Sequence, residues 1–265
     1  DQVAEAEQAY LHAIDLKPDY WQYQNGLGIF YHYEGRHEDA AAAFLRVIEL
    51  RPDNPWGHNN LGAQYKELGR LPEAMEEFLT ATSLDTSVTG AVAFASDNIA
   101  RLRYSERQFD EAAYWFKRAT DLQELDFDSW DQLGNAYRQL GRHEEARAAW
   151  ERVVEYASNR LEINPNDRNA LNYIAEAYAK LERPVLARAF MYRLLHLERI
   201  QPSDLLVAAK VHEILAHRDS ALYYVERALD KGATIEDIEV SIWLDELRGD
   251  SAYGELVAAT SPAKD

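Results

Sequence analysis

Apolar residues recur along most of the chain at spacings of three and four, the period of an amphipathic helix. The runs come in pairs, and in three of these pairs a glycine separates the two runs, at Gly35, Gly69 and Gly141. A glycine just beyond the last apolar position of a run typically ends a helix. The pattern therefore predicts a series of helix–turn–helix hairpins.

The hairpins are copies of one another. A Leu–Gly pair followed by a tyrosine occurs three times, and three fainter copies keep the same frame. The key positions of the six copies are Leu27, Leu61, Ile99, Leu133, Ile174 and Ala208. Their spacings are 34, 38, 34, 41 and 34 residues. A return to 34 after each longer interval indicates a repeat protein, in which stacked neighbours bury the apolar face of each unit.

This signature resembles that of the tetratricopeptide repeat (TPR) family, with Gly62, Ala74 and Phe78 at its small and aromatic positions in the second copy. The resemblance implies an all-α fold, a right-handed superhelical α-solenoid of TPR helix hairpins with a C-terminal cap. Residues 1–20 would be the second helix of a truncated leading repeat. Six TPR units would span residues 21–235, starting near residues 21, 55, 93, 127, 168 and 202, and a capping segment would span residues 236–265.

Two units depart from the 34-residue length. Residues 89–92 are inserted before the third unit, and seven extra residues lengthen the fourth. Neither glycine nor proline interrupts the longer insertion before Pro165. A second helix extended by about two turns is therefore favoured over a longer loop.

The two ends of the chain are not full repeats. The leading half-unit, which opens on Asp1 rather than Met, would leave apolar residues such as Val3 and Tyr10 without a neighbouring helix. Either the chain is a fragment of a longer protein or this face binds a second copy. At the other end, Trp243, Leu244 and Leu247 are expected to form an apolar strip folded over the last hairpin, as a terminal repeat requires.

The tail also resembles the ending of TPR arrays fused to bacterial serine/threonine kinases, nucleotide cyclases and winged-helix regulators. That resemblance implies the regulatory, non-catalytic part of a larger bacterial protein. A cytoplasmic location is favoured, and an extracytoplasmic one would follow from fusion to a membrane-anchored regulator.

Composition narrows the possible partners. Of the 265 residues, 47% are apolar and 28% are charged, which is typical of a folded chain. The net charge of −18 repels phosphate backbones and anionic lipid surfaces, so no nucleic-acid partner is expected. No apolar run is long enough for direct membrane insertion. The absence of cysteine excludes disulfides and thiolate zinc sites.

The sequence predicts no enzyme, no metal site and no cofactor. His37 and His143 both follow Gly–Arg at the same place in their units, which is typical of a solvated turn residue. His212 and His217 are five residues apart, a spacing that does not place two metal ligands on one helical face. No serine lies in the Gly-x-Ser-x-Gly turn of a hydrolase nucleophile.

In TPR proteins the first helices of the units line a concave groove, and the resemblance transfers this role to matching positions here. The candidate residues are Gln22, Asn25, Trp56, Asn59, Asn60, Asp97, Asn98, Arg101, Asp131, Gln132, Asn135, Arg138, Asn172 and Glu176. Many are amides, whose donors and acceptors can bind the backbone of an extended peptide.

Asn60, Asn98 and Gln132 occupy the same unit position, similar to the asparagine ladder of the sugar-transferase branch of the family. The alternative is that polar residues simply suit a wet concave surface. The carboxylate clamp of the chaperone-binding branch is not matched. The predicted function is a protein–protein interaction module that binds an extended peptide or partner protein in the groove. The alternative is a structural scaffold that self-assembles into a homo-oligomer through the N-terminal face.

Overall fold

The computed structural model describes residues 2–84, 89–123 and 127–260. Residue 1 of the predicted leading segment, residues 85–88 and 124–126 of the predicted repeats, and residues 261–265 of the predicted cap lie outside the described residues. Within the described ranges the chain is helical and has no strand, which confirms the all-α prediction. The chain forms two compact units, Asp1–Ser129 and Trp130–Asp265, hereafter the N-terminal unit and the C-terminal unit.

The N-terminal unit begins with a single helix, α1 (Gln2–Leu16), followed by helical hairpins. The hairpins are α2 and α3 (Trp21–Tyr33 and His37–Leu50), α4 and α5 (Pro55–Glu67 and Leu71–Ser83), and α6 and α7 (Thr89–Ser105 and Phe109–Leu122). From α1 to α7, consecutive helices pack against one another. The four residues inserted before the third unit form the first turn of α6, where Val92 is buried.

The C-terminal unit continues the same arrangement, with α8 (Phe127–Gln139) crossing the boundary between the units. The other helices of its hairpins are α9 (His143–Ile163), α10 (Arg168–Lys180), α11 (Pro184–Leu195), α12 (Pro202–Ile214) and α13 (Arg218–Asp230). The 21 residues of α9 run without interruption to the residue before Asn164, which confirms the lengthened second helix. Asp167 then caps α10 by accepting a hydrogen bond from the backbone N–H of Ala170 at 3.0 Å.

Glycines on the first helix of a hairpin allow an aromatic ring of the second helix to lie directly against the backbone. A Cβ atom at Gly62 would lie 2.8 Å from the ring of Phe78, which is fully buried. A Cβ atom at Gly134 would overlap the indole nitrogen of Trp150. Close packing of the two helices therefore depends on glycine at these positions, because glycine has no side chain.

The turn between the two helices has the same backbone geometry in six hairpins. Its left-handed residue is Gly35, Gly69, Arg107, Gly141, Glu182 or Ala216, with φ between 58 and 72°. In every case the next residue donates its N–H to the carbonyl five residues earlier at 2.8–2.9 Å. This is the hydrogen bond of the Schellman helix ending. Three of these turns thus place a residue with a side chain in a conformation that normally favours glycine.

The C-terminal segment covers the last hairpin. It consists of α14 (Ile235–Glu239), a 3-10 turn (Ile242–Leu244), α15 (Asp245–Arg248) and α16 (Ser251–Thr260). Leu244 and Leu247 are buried in a cluster with Leu205 of α12 and Val225 of α13, as predicted for the apolar strip. Trp243 also contacts α8, where its indole N–H donates to Asn135.

Candidate functional site

The predicted groove residues of the N-terminal unit lie on the first helix of each hairpin. They are Gln22 and Asn25 on α2, Trp56, Asn59 and Asn60 on α4, and Asp97, Asn98 and Arg101 on α6. Gln22 is exposed, Asn59 is buried, and the other side chains are half-buried. Four of these residues are asparagines, and the structure brings all four together.

The side-chain amides of the four asparagines form one hydrogen-bonded chain across α2, α4 and α6. Asn98 Nδ2 donates to Asn59 Oδ1, and Asn59 Nδ2 donates to Asn60 Oδ1, both at 3.3 Å. Asn60 Nδ2 then donates to Asn25 Oδ1, also at 3.3 Å. We call these four residues the amide chain. The neighbour of Asn98 in the amide chain is Asn59, rather than Asn60 as the matching unit positions suggested.

A cavity of about 440 Å³ lies beside the amide chain, between α2 and α4. Its lining consists of Trp21, Asn25, Ile29, His32, Tyr33, Phe44, Trp56, Asn60, Ala63 and Gln64. The aromatic and aliphatic groups dominate, and Asn25 and Asn60 supply amides at the same surface. Tyr33 is 81% exposed, so apolar surface at this cavity remains accessible to a ligand.

Two histidines share one acceptor next to this cavity. The Nδ1 atoms of His32 and His37 lie 3.2 and 3.1 Å from Gln64 Oε1. Gln64 Nε2 donates to the carbonyl of Asn60 at 3.4 Å, which fixes the orientation of the amide. Because Oε1 accepts hydrogen bonds, these distances fit the tautomer of each ring that carries its proton on Nδ1. His37 is therefore half-buried and hydrogen-bonded, and its prediction as a solvated turn residue was wrong.

Asp97 and Arg101, the two charged residues predicted for the groove on α6, are bound to one another and to the start of α8. Arg101 Nε donates to Asp97 at 2.6 Å, and Arg101 also pairs with Asp128. Ser129 Oγ donates to Asp97 at 2.8 Å. Burial raises the pKa of the Asp97 carboxyl. Burial lowers the pKa of Arg101, but the charges of Asp97 and Asp128 outweigh it and raise that pKa overall. This cluster fixes α6 to α8 within the N-terminal unit.

Two of the three charged residues predicted for the groove of the C-terminal unit, Asp131 and Glu176, belong to a buried ion-pair network. Lys180 Nζ lies 2.7 and 2.8 Å from the two carboxylate oxygens of Asp131, and its side chain is fully buried. Glu176 lies 3.6 Å from Lys180 and also pairs with Lys210. Burial alone would raise the pKa of Glu176, but the ammonium groups of Lys210 and Lys180 lower it. These carboxylates are therefore neutralised by their own neighbours.

Sequence reasoning missed Lys180 and Lys210, although a signal was present. Lys180 lies on α10 and Lys210 on α12, and each of these is the first helix of its hairpin. Both lysines occupy positions in the repeat from which groove candidates such as Glu176 and Arg138 were chosen. A lysine facing two carboxylates from matching positions predicts an ion pair, which the structure contains.

A second missed residue, Trp243, occupies the predicted groove positions of α8. Its indole nitrogen donates to Asn135 Oδ1 at 3.2 Å. The Arg138 guanidinium carbon lies 4.4 Å from the centre of a Trp243 ring, and Lys180 Nζ lies 5.2 Å from it. Trp150 meets the indole edge-on, with the ring centres 6.1 Å apart. The sequence carried no local signal for this contact, because 108 residues separate Asn135 from Trp243.

The other two candidates of the C-terminal unit, Gln132 on α8 and Asn172 on α10, are half-buried. Within the described residues, no group of three or more histidine, aspartate and glutamate side chains is arranged to hold a metal ion. None of the described helices combines the length and the apolar character needed to cross a bilayer.

Comparison with known proteins identifies the repeats. A family described as TPR repeat matches residues 30–69, and a family described as tetratricopeptide repeat matches residues 132–204. The first match covers parts of the first two predicted units, and the second covers most of the fourth, all of the fifth and the start of the sixth. Neither match includes the third predicted unit. No protein of curated function matches the sequence.

Several solved structures share the fold. A tetratricopeptide repeat protein from Parabacteroides merdae is 14% identical, with a TM-score of 0.62 over 97% of this chain and 92% of that one. Pseudomonas aeruginosa PilF is 20% identical, with a TM-score of 0.54 over 94% of this chain and 99% of that one. A human IFIT1 dimer with m7Gppp-AAAA is 13% identical, with a TM-score of 0.61 over 97% of this chain and 63% of that one. At these identities the likeness concerns the fold alone.

Proposed function

We propose that this chain, which is a tetratricopeptide repeat protein, binds an extended peptide on the first helices of its N-terminal unit. The repeats make the chain a protein–protein interaction module, in a fold that is typically non-catalytic. The observation that carries the proposal is the amide chain with the cavity beside it.

The amide chain suits a peptide backbone because its hydrogen-bonding groups are only partly used. Each asparagine has two N–H donors and one oxygen with two lone pairs. Within the amide chain, Asn60 donates one hydrogen bond and accepts one. The remaining groups of the three half-buried amides, Asn25, Asn60 and Asn98, can donate to backbone carbonyls and accept from backbone N–H groups. Such contacts would bind the backbone of an extended peptide without selecting for its side chains.

The cavity between α2 and α4 supplies the apolar contact that an amide surface alone lacks. Its volume of about 440 Å³ lies within the range of about 300–1,000 Å³ that is typical of ligand sites. The rings of Trp21 and Trp56 and the side chain of Ile29 line it. A bulky apolar side chain of the peptide would enter this cavity while the neighbouring backbone contacts Asn25 and Asn60.

The C-terminal unit offers less to such a peptide. Asp131 and Glu176 are neutralised by Lys180 and Lys210. Asn135 already accepts a hydrogen bond from Trp243, whose ring also lies against Arg138.

A random peptide library displayed on phage tests the proposal. Peptides enriched on the native chain are synthesised and titrated against it and against an Asn25→Ala, Asn60→Ala, Asn98→Ala variant. We expect the dissociation constant to rise at least about tenfold in this variant, equivalent to about 1.4 kcal/mol of binding free energy. The matched control removes two amides of the C-terminal unit, Gln132→Ala and Asn172→Ala, and should bind as the native chain does.

Two outcomes would contradict the proposal. One is a library selection that enriches no peptide on the native chain. The other is an equal loss of affinity in the two amide variants, both folded by circular dichroism, which would show that the amide chain is not the contact.

We further propose that the chain is the regulatory part of a larger bacterial protein. The resemblance of its tail to arrays fused to kinases, cyclases and winged-helix regulators supports this. The genomic sequence upstream tests it directly, because a catalytic or DNA-binding domain should be encoded in the same reading frame. A stop codon and an independent start adjacent to residue 1 would refute it.

A second candidate function is self-assembly, which exposed apolar residues on α1 favour. Val3 and Leu11 are exposed there, and Leu16 is 69% exposed. Multi-angle light scattering distinguishes the candidates, since self-assembly requires a molar mass that rises with concentration above that of one chain. A constant monomer mass would exclude it.

A further inference from the structure

We infer that the C-terminal unit contains a recognition site for a tryptophan side chain, and that the chain's own Trp243 occupies it. The site consists of Asn135 and Arg138 of α8, Trp150 of α9 and Lys180 of α10, and we call these four residues the indole site. A partner segment that presents a tryptophan binds there by displacing Trp243. This inference does not depend on peptide binding by the N-terminal unit.

Asp131 and Lys180 orient the Asn135 amide that accepts the hydrogen bond at the indole site. Asn135 Oδ1 accepts from the Trp243 indole nitrogen at 3.2 Å. Asn135 Nδ2 donates to Asp131 at 3.1 Å, so the amide presents its oxygen, not its nitrogen, to the indole. Asp131 is in turn held by both hydrogen bonds from Lys180. The acceptor is therefore positioned by buried contacts that exist independently of Trp243.

The Trp243 indole makes cation–π contacts with two basic side chains. The Arg138 guanidinium lies 4.4 Å and the Lys180 ammonium 5.2 Å from the centre of the Trp243 indole. Cations at these distances are attracted by the aromatic ring, and tryptophan gives the strongest attraction. Trp150 adds an edge-on aromatic contact at 6.1 Å. One acceptor for an N–H group, two cations and an aromatic edge together select an indole over an aliphatic side chain.

Trp243 is attached to the site by a short segment that is anchored elsewhere. It belongs to a 3-10 turn of three residues, while Ile238, Leu244 and Leu247 are buried against the last hairpin. Val240, three residues before Trp243, is 76% exposed. A cavity of about 270 Å³ lies beside the ring, lined in part by Arg147 and Ile214. Because the anchors are buried against other residues, we expect displacement of the indole to leave them in place.

Because Trp243 is covalently attached close to the indole site, a ligand from solution must compete with it for that site. A group held on a short linker has an effective concentration of the order of millimolar at its own site. Trp243 thus keeps the indole site closed to weak ligands, and a partner needs further contacts to displace it. Removing the indole should open the site to a ligand in solution.

The test uses a fluorescein-labelled synthetic peptide that covers residues 239–246 of this chain, and the same peptide with alanine in place of its tryptophan. Fluorescence polarisation measures binding to the full chain in its native form and as Trp243→Ala. We expect the tryptophan peptide to bind Trp243→Ala at least tenfold more tightly than the native chain. The alanine peptide should not bind either. Tyr223→Ala, which removes an exposed aromatic side chain from α13, should behave as the native chain does.

Two further variants make the result specific. Adding Arg138→Ala to Trp243→Ala removes one cation from the site and should weaken peptide binding at least fivefold. Trp243→Phe keeps an aromatic ring but lacks the N–H donor, so it should admit the peptide to a smaller extent than Trp243→Ala. This variant preserves most of the packing and tests the inference even if Trp243→Ala fails to fold. Equal binding by the native chain and the folded variants, or no binding by any of them, would overturn the inference.

Discussion

The two units of this protein are built from the same hairpin, but the side chains at the predicted groove positions of its first helix make different contacts in each. In the N-terminal unit, amides on α2, α4 and α6 bond to one another beside an accessible cavity, and all of them except the buried Asn59 are half-buried. In the C-terminal unit, the buried Lys180 neutralises Asp131. Trp243 of the C-terminal segment lies over the neighbouring Asn135. The repeat therefore determines where a side chain lies, and its neighbours determine whether it can bind a partner.

The largest expected effect tests the buried ion pairs of the C-terminal unit. Lys180→Met leaves Asp131 buried without the ammonium group that neutralises it, and such a change typically costs about 3–5 kcal/mol. The urea midpoint of unfolding, followed by circular dichroism, measures the loss.

Lys117→Met in the N-terminal unit is the matched control. Lys117 pairs with Asp121 on the surface of α7, and about half of its side chain is exposed. Exposed pairs contribute less than about 1 kcal/mol. Equal losses in the two variants would show that the Lys180 network does not distinguish the units.

A smaller effect is expected from the glycines under the aromatic rings. Gly134→Ala places a Cβ atom on the indole nitrogen of Trp150, and overpacking of this kind costs about 1–3 kcal/mol. Gly62→Ala in the N-terminal unit, whose Cβ would lie 2.8 Å from Phe78, should fall in the same range. Thermal unfolding of both variants measures the loss.

Gly254→Ala provides the contrast for these substitutions. Gly254 lies in α16, and a Cβ atom there meets nothing within 4 Å. Because alanine is the better helix former, this variant should gain up to about 1 kcal/mol. A loss in Gly254→Ala equal to that in Gly134→Ala would mean that close packing is not the cause.

The smallest effect concerns the turns that lack glycine. Arg107→Gly in the N-terminal unit and Ala216→Gly in the C-terminal unit remove a side chain from a left-handed position. That gain is partly offset by the greater freedom of glycine in the unfolded chain, which leaves about 0.5–1 kcal/mol of added stability. Chemical denaturation should detect it in both units. The reverse change, Gly69→Ala, should lose stability by a similar amount, and a gain there would contradict the strain argument.

The sequence predicted those features that depend on residues within one repeat. The period of apolar positions predicts the helix pairs, and the uninterrupted run before Pro165 predicts the length of α9. The matching unit positions also place Asn60 and Asn98 on first helices of neighbouring hairpins. All of these inferences use separations shorter than two repeats, over which the helix period and the repeat frame determine the geometry.

What the sequence did not predict depends on contacts outside that frame. Trp243 belongs to a segment with no repeat register, so nothing in its spacing points to Asn135. Asn59 was predicted as a groove residue, but its burial and its hydrogen bonds to Asn98 and Asn60 were not predicted, because they depend on neighbouring hairpins. The left-handed conformation of Glu182 was equally hidden, because the turn geometry persists there without the glycine that signals it.

The six identical turns have a consequence for how the chain can vary in length. The connection inside a hairpin is closed by a hydrogen bond of constant span, so an added residue there would break it. The insertions that the chain does contain lie at the start of α6 and the end of α9, where one hairpin meets the next. Each hairpin therefore has a fixed internal connection. The connections between hairpins are the places where repeats can be duplicated, removed or inserted.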